Sequence, residues 1–285
     1  MQACFNLQAM LFQMQMPNSI LNYFSTTHGS FLHAKGRIAT ARLMKLLDCQ
    51  PGENILELGF GTGATLTHLA SLHTRTTFSG YDVSAAMLNV AKSRLKFCLL
   101  DKRVQLHLMD PEAPLPAPSE NFDKIYVESV LAIQQDGHLH SLLTELNRIL
   151  KKNGTLIFNE TIWLDSVSKD EAIQINSGCL KAFGIIQSNA HYTHISDWKQ
   201  LLHDCGFHTE VFEVVSDDAG EKSLPFSFKG MFLSEVFNIL GKIKSFTNSR
   251  LRTEWKKYSN EIEHILPPGK KMMDGFLVKA VKTNS

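Results

Sequence analysis

The stretch ILELGFGTGATL, residues 55–66, constrains the fold of this 285-residue chain more than any other. Ile55, Leu56 and Leu58 form an apolar run, Gly59, Gly61 and Gly63 follow at alternate positions, and a helix-forming tail begins at Ala64. An apolar strand that breaks into glycines and restarts as a helix is the first turn of a βα unit. Glycine tolerates the tight turn, and the free N–H groups of the helix start favour an anion.

One βα unit cannot bury its own faces, and the following sequence supplies the rest. TTFSGYD, RVQLHLM, DKIYVESV and GTLIFNETI have strand character. Between them lie SAAMLNVAKSRLK, with Ser84 as N-cap and Met87, Leu88, Ala91 and Leu95 inward, and HLHSLLTELNRILKK. This alternation predicts an α/β fold with a Rossmann-like, mostly parallel seven-stranded sheet. The late runs HTEVFEVV and GFLVKAVK predict a terminal antiparallel hairpin. Right-handed crossovers bring the strand ends to one edge, where open sheets bind ligands. Gly59, Asp82, Asp110, Glu128 and Glu160 end the strands there.

Residues 1–34 contain no Asp, Glu, Lys or Arg. They are expected to form a helical lid segment, with Phe5, Met10, Leu11 and Met14 near one face, ahead of a single domain over 35–285. Helical insertions are expected at about 164–195 and 217–273. In the second, Phe226, Phe228, Met231, Phe232, Phe237 and Leu240 read as core packing with some contribution to a lid. Lys plus Arg number 29 and Asp plus Glu 28, so no nucleic-acid partner is expected. The basic window Lys242–Lys257 reads as a solvated helix face. Five scattered cysteines suggest neither a disulfide framework nor a metal site, and fit a cytoplasmic setting. No apolar run is long enough for a stable membrane span.

Two ligands suit the glycine turn. Gly59-x-Gly61-x-x-Ala64 fits a dinucleotide, and Glu57-x-Gly59-x-Gly61-x-Gly63 fits S-adenosyl-L-methionine. Asp82 suits ribose hydroxyls in both. Glu57 inside the strand is costly to bury without a partner, and an ammonium group or the loop backbone would provide one. Asp110 is placed to accept from an adenine amino group. The chain has no Tyr-x-x-x-Lys pair, which removes one large class of dehydrogenases.

In these segments the chain resembles the class I S-adenosylmethionine-dependent methyltransferases over roughly residues 30–215. ILELGFGTG, GYDVSAAMLNVAKSR, VQLHLMD and FDKIYVESVL…LLTELNRILKKNGTLIFNE follow the family's order. Lys152-Asn153 departs from its usual Pro-Gly, and Pro111 stands where a small residue is commoner. FLHAKG resembles a loop of small-molecule members, without its prolines. The resemblance implies S-adenosyl-L-methionine as cofactor. Glu57, Gly59, Gly61, Thr62 and Gly63 would lie at its methionine end, Asp82 on its ribose, Val83 and Met87 beside its adenine, and Asp110 on the adenine amine.

YVESVLA and FNETIW resemble sterol and quinone C-methyltransferases, which makes Glu128 a candidate base or cation-stabilising group. Of the histidines near the expected cleft (His28, His33, His138, His140, His191, His194), His138 and His191 have the best placement. Tyr23, Tyr192, Glu160 and Trp163 are expected to line the pocket. The expected reaction is in-line methyl transfer to carbon or oxygen of a small, lipid-like molecule, and a homodimer is compatible with it. The alternatives are an NAD-dependent oxidoreductase and an inactive methyltransferase-like binding protein.

Overall fold

Seven strands form one sheet in the order β3-β2-β1-β4-β5-β7-β6. The computed structural model describes residues 20–29, 35–215, 228–266 and 269–283. The strands are β1 (Asn54–Leu58), β2 (Thr77–Asp82), β3 (Val104–Leu108), β4 (Phe122–Glu128), β5 (Leu150–Trp163), β6 (Phe207–Val214) and β7 (Met273–Lys282). β1 to β5 pair in parallel, and β7 runs antiparallel between β5 and β6. The parallel sheet and the terminal antiparallel hairpin are those expected. The order reverses between β1 and β4, which opens the ligand crevice at that edge.

The helices are α1 (Ile20–Thr26), α2 (Gly36–Leu47), α3 (Ala64–Leu72), α4 (Ala85–Phe97), α5 (Asp136–Ile149), α6 (Lys169–Phe183), α7 (Ile195–Asp204), α8 (Phe228–Thr247) and α9 (Ser249–Ile265). Ser84 caps α4 by accepting from the Met87 N–H. Gly206, at φ 78°, follows the Cys205 cap of α7, where a left-handed residue ends a helix. Two apolar layers cover the sheet. One joins β4 and β5 to α5 and α7 through Leu139, Leu143, Phe158 and Trp198, and the other joins β1 and β2 to α2, α3 and α4. A third cluster ties α1, α6 and α9 into a cap through Tyr23, Phe183 and Tyr258.

Several expectations are revised. β5 starts at Leu150 rather than after Asn153-Gly154, because Asn153 takes φ 60° inside the strand and the ladder shifts register there. Of the apolar set in the second insertion, Phe237 is buried while Phe232 and Leu240 are exposed, so it forms neither one core stripe nor a wall of the cavity. Phe226, Phe5, Met10, Leu11, Met14, Cys4 and His33 lie outside the described residues, and so does the side chain of Phe228.

Candidate functional site

The glycine turn has the backbone its sequence demands. Gly59, Gly61 and Gly63 have φ of 76°, 50° and 73°, values that L side chains rarely adopt. A Cβ on Gly59 would come within 2.3 Å of Val130 Cγ2, and one on Gly63 within 3.0 Å of Ala91. A Cβ on Gly61 would meet no atom within 4 Å. Gly61 therefore forms bare floor in a cavity of about 1690 Å³, whereas Gly63 faces α4 and is not part of the cavity wall. That corrects the placement of Gly63 among ligand-lining residues: its role is to let α3 and α4 approach.

Asp82 is buried and organises the turn. Its Oδ2 accepts from the Gly61 N–H (2.8 Å) and its Oδ1 from the Ser84 N–H (2.8 Å). Burial lifts its carboxyl to about 6, against the pull of those backbone donors. Val83, Met87 and Asp110 line the same wall. Asp110 accepts from the Glu112 N–H (2.9 Å), and the Pro111 carbonyl faces His138 Nε2 (3.3 Å). Thr62 also reaches the cavity, and its hydroxyl donates to the carbonyl of Gly29, another lining residue (2.5 Å).

Three carboxyl groups form the floor. Glu57 is buried in β1, and its pKa is pushed well above the carboxylate range by burial and then by Glu128. The neighbouring Tyr126 hydroxyl offsets only part of this. Neither that hydroxyl nor Glu57 Oε2 reaches a well-formed hydrogen bond among the described residues. An orphaned carboxyl oxygen in a cavity wall fits a ligand cation. Glu128 is differently held: Thr40 donates to its Oε1 (2.8 Å) and Thr65 to its Oε2 (2.7 Å). Glu160 accepts from the N–H groups of Val130 (2.8 Å), Leu131 (2.8 Å) and Ala132 (3.1 Å), and burial lifts it to about 7. It lines the cavity but also fixes the loop after β4.

The histidines separate. His138 is braced between Gln134 Oε1 (2.8 Å) and the Pro111 carbonyl. His191 Nδ1 pairs with Asp136 Oδ2, while Asp136 Oδ1 accepts from Asn189 Nδ2 (2.8 Å). Both histidines line the cavity. His28 instead stacks under Phe237, and His194 lies against Asp165. Tyr23, Tyr192 and Trp163 are not in the cavity wall. They pack on Trp255, on Trp198 and against the Ser188 carbonyl respectively. Tyr23 and Trp163 belong to the core of the cap, and Tyr192 packs against the layer of α5 and α7.

Sequence reasoning missed Thr40, Thr65, Asp136, Asn189 and Arg94. The first four act through partners 53 to 88 residues away along the chain. Arg94 sat on the inward side of an amphipathic pattern, between Ala91 and Leu95, and that position was a signal. It is fully buried, donates to the carbonyls of Thr62 (2.8 Å) and His28 (3.2 Å), to Ser234 Oγ (2.9 Å) and to Asn238 Oδ1 (2.7 Å), and lies over the Phe237 ring. One guanidinium thus joins the glycine turn, the segment after α1, and α8.

The fold is the seven-stranded, Rossmann-like one found in S-adenosylmethionine-dependent methyltransferases. Residues 55–154 match the methyltransferase domain family. It is 26% identical over 191 residues to the methyltransferase GfsG of Streptomyces halstedii, covering 67% of this chain and 64% of that one. It is 30% identical over 116 residues to a demethylmenaquinone methyltransferase of Tropheryma whipplei, covering 41% and 45%. The chain thus spans less than two thirds of the length of either relative. A solved structure of a putative sarcosine dimethylglycine methyltransferase from Galdieria sulphuraria shares the fold, with a TM-score of 0.62 at 13% identity over 92% of this chain and 97% of that one.

Proposed function

We propose that the protein transfers a methyl group from S-adenosyl-L-methionine to carbon or oxygen of a small, lipophilic acceptor. The observation that carries this reading is the shape of the cavity. It continues from the glycine turn, between Glu57 and Asp82, to a wall of Leu21, Phe24, Ile133, Ile185, Ile186 and Met273. Its volume of about 1690 Å³ exceeds the roughly 300–1,000 Å³ of a single-ligand pocket, which leaves room for a donor and an acceptor. The relative named for demethylmenaquinone supports an apolar acceptor.

The bound cofactor supplies an electrophilic methyl on a good leaving group. Glu57 would hold its ammonium group, Asp82 would receive its ribose hydroxyls and Asp110 its adenine amine. The chain's main contribution is then to align the two reactants and exclude water. A carbon or oxygen nucleophile must also lose a proton. Glu128 is already engaged: the Thr40 and Thr65 hydroxyls each donate to one of its oxygens and tie it to α2 and α3. His191 is the better base: Asp136 holds Nδ1, which keeps the proton there and leaves Nε2 as the acceptor. This replaces Glu128 as the first choice, and the bracing of His138 makes that ring a positioning group.

The test is label transfer from methyl-labelled cofactor to isoprenoid quinones, phenols, sterols and amines. Labelled quinone or phenol is expected, and label in amines alone overturns the acceptor class. His191→Ala should lower kcat by about 10²–10⁴-fold while S-adenosylhomocysteine binding is unchanged. An unchanged kcat would remove His191 as the base.

A further inference from the structure

Helix α8 is docked on one side and apolar on the other. The inner side is fitted closely to the body. A Cβ on Gly230 would lie 2.3 Å from Ser71 Cβ, and one on Gly241 2.3 Å from the Thr27 carbonyl oxygen. Ser234, Phe237 and Asn238, between these glycines, meet Arg94. The opposite side carries Phe232, Ile239, Leu240, Ile243 and Phe246, all exposed, with Phe232 at 60% and Phe246 at 75%. At 1.5 Å per residue the stripe from Phe232 to Phe246 is about 21 Å long. Because the inner side is fixed by glycines and a buried arginine, rotating the helix to hide the stripe would break those contacts.

The charges around the stripe have one sign. Lys242 and Lys244 flank it, and Arg250, Arg252, Lys256 and Lys257 follow at the start of α9, all exposed. Between 242 and 257 the single carboxylate is Glu254. Glu235 on α8 is engaged by Arg37, and α9 carries Glu261 and Glu263 in its last turns. A helix with exposed aromatic and aliphatic side chains edged by lysines is built to lie in a bilayer interface, where anionic headgroups meet the cations. Exposed Trp255 on α9 stacks on Tyr23 of α1 at 5.5 Å, and Leu21 and Phe24 of α1 line the cavity. The surface and the cavity thus share a wall. Among the described residues no helix is long and apolar enough to cross a membrane, so the contact is peripheral.

We propose that the outer face of α8, with the basic start of α9, docks the protein on an anionic lipid bilayer. This goes beyond the methyl-transfer reading and does not depend on it. The experiment is sedimentation of the full chain with vesicles of phosphatidylcholine alone and of equal parts phosphatidylcholine and phosphatidylglycerol. The protein should pellet with the mixed vesicles and be released by high salt. Phe232→Ser/Phe246→Ser should abolish pelleting. Lys242→Glu/Lys256→Glu should weaken it by at least about fivefold per lost cation. Circular dichroism and a cooperative thermal transition for each variant report whether it is folded. Failure to pellet, equal pelleting with neutral vesicles, or variants that pellet like the wild type would each overturn the proposal. So would a wild-type dimer, seen by analytical ultracentrifugation, that Phe246→Ser converts to monomer and that does not bind vesicles. The vesicles contain no methyl acceptor, so failure of the acceptor screen leaves this result intact, and the converse holds.

Discussion

Glu57 is the residue whose physics is most exposed to test. In the free site burial and then Glu128 raise its pKa and disfavour the anion. A ligand ammonium beside it favours the anion, so binding should release a proton. Calorimetry of S-adenosylhomocysteine in buffers of different ionisation enthalpy should detect that release, and its absence would remove Glu57 from the ammonium. Glu57→Gln should lose the charge-assisted contact, about 1.5–3 kcal/mol, or roughly tenfold to a hundredfold in Kd. Asp82 adds a pH limb. Ribose hydroxyls favour its anion, so its bound pKa lies below the free value of about 6. Affinity should hold above that pH and fall as pH drops through it, and a flat profile from pH 7 to 5 would contradict the assignment. The folding linkage has the opposite sense. A carboxyl raised from its ordinary value stabilises the fold at low pH, and that contribution is lost as pH rises through about 6.

At the scale of elements, the glycine turn and α8 are coupled through α4. Gly59→Ala meets both an unfavourable φ and Val130, whereas Gly61→Ala meets only the φ. Both should lose cofactor affinity, but the unfolding midpoint should fall further for Gly59→Ala, with about 1–2 kcal/mol of backbone strain common to both. Equal thermal shifts would show that the Val130 contact is relaxed by small movements. Arg94 makes a buried charge tolerable with carbonyl, hydroxyl, amide and aromatic partners, and burial lowers its pKa to about 10, so it remains a cation at neutral pH. Arg94→Met would strand those acceptors, at about 1–3 kcal/mol for each left unsatisfied. Hydrogen exchange should then accelerate in α8 and in residues 20–29 before the sheet. Uniform acceleration would mean that Arg94 acts on the core as a whole.

On the scale of the molecule, a ligand that binds only the folded state raises its stability. S-adenosylhomocysteine at about a hundredfold over its Kd adds about 2.7 kcal/mol. For a chain this long that is a rise of roughly 5 °C or more in Tm. NAD at the same excess should leave Tm unchanged, and the reverse pattern would sink the cofactor assignment in favour of the dinucleotide reading. The cap of α1, α6 and α9, closed over Tyr23, Phe183 and Tyr258, should melt with the body, since it shares walls with the cavity. A separate early transition would show that it is an independent unit.

The sheet, its parallel order, the terminal hairpin and the edge that carries the cavity were legible in the sequence. Each depends on local periodicity, on glycine in turns and on the handedness of crossovers, which act over a few residues or one βα unit. The placement of Glu57, Gly59, Gly61 and Asp82 at that edge was legible for the same reason, since strand ends are fixed by position. The state of the site was not. Thr40 and Thr65 occupy Glu128 from α2 and α3, Asp136 orients His191 across 55 residues, and Arg94 turns inward to bind α8. Pairing energies of that kind depend on distance and burial, not on spacing along the chain. The same holds for α8, whose apolar residues read as core. Which of its faces became core was decided by Gly230, Gly241 and Arg94, and the face left over became the surface.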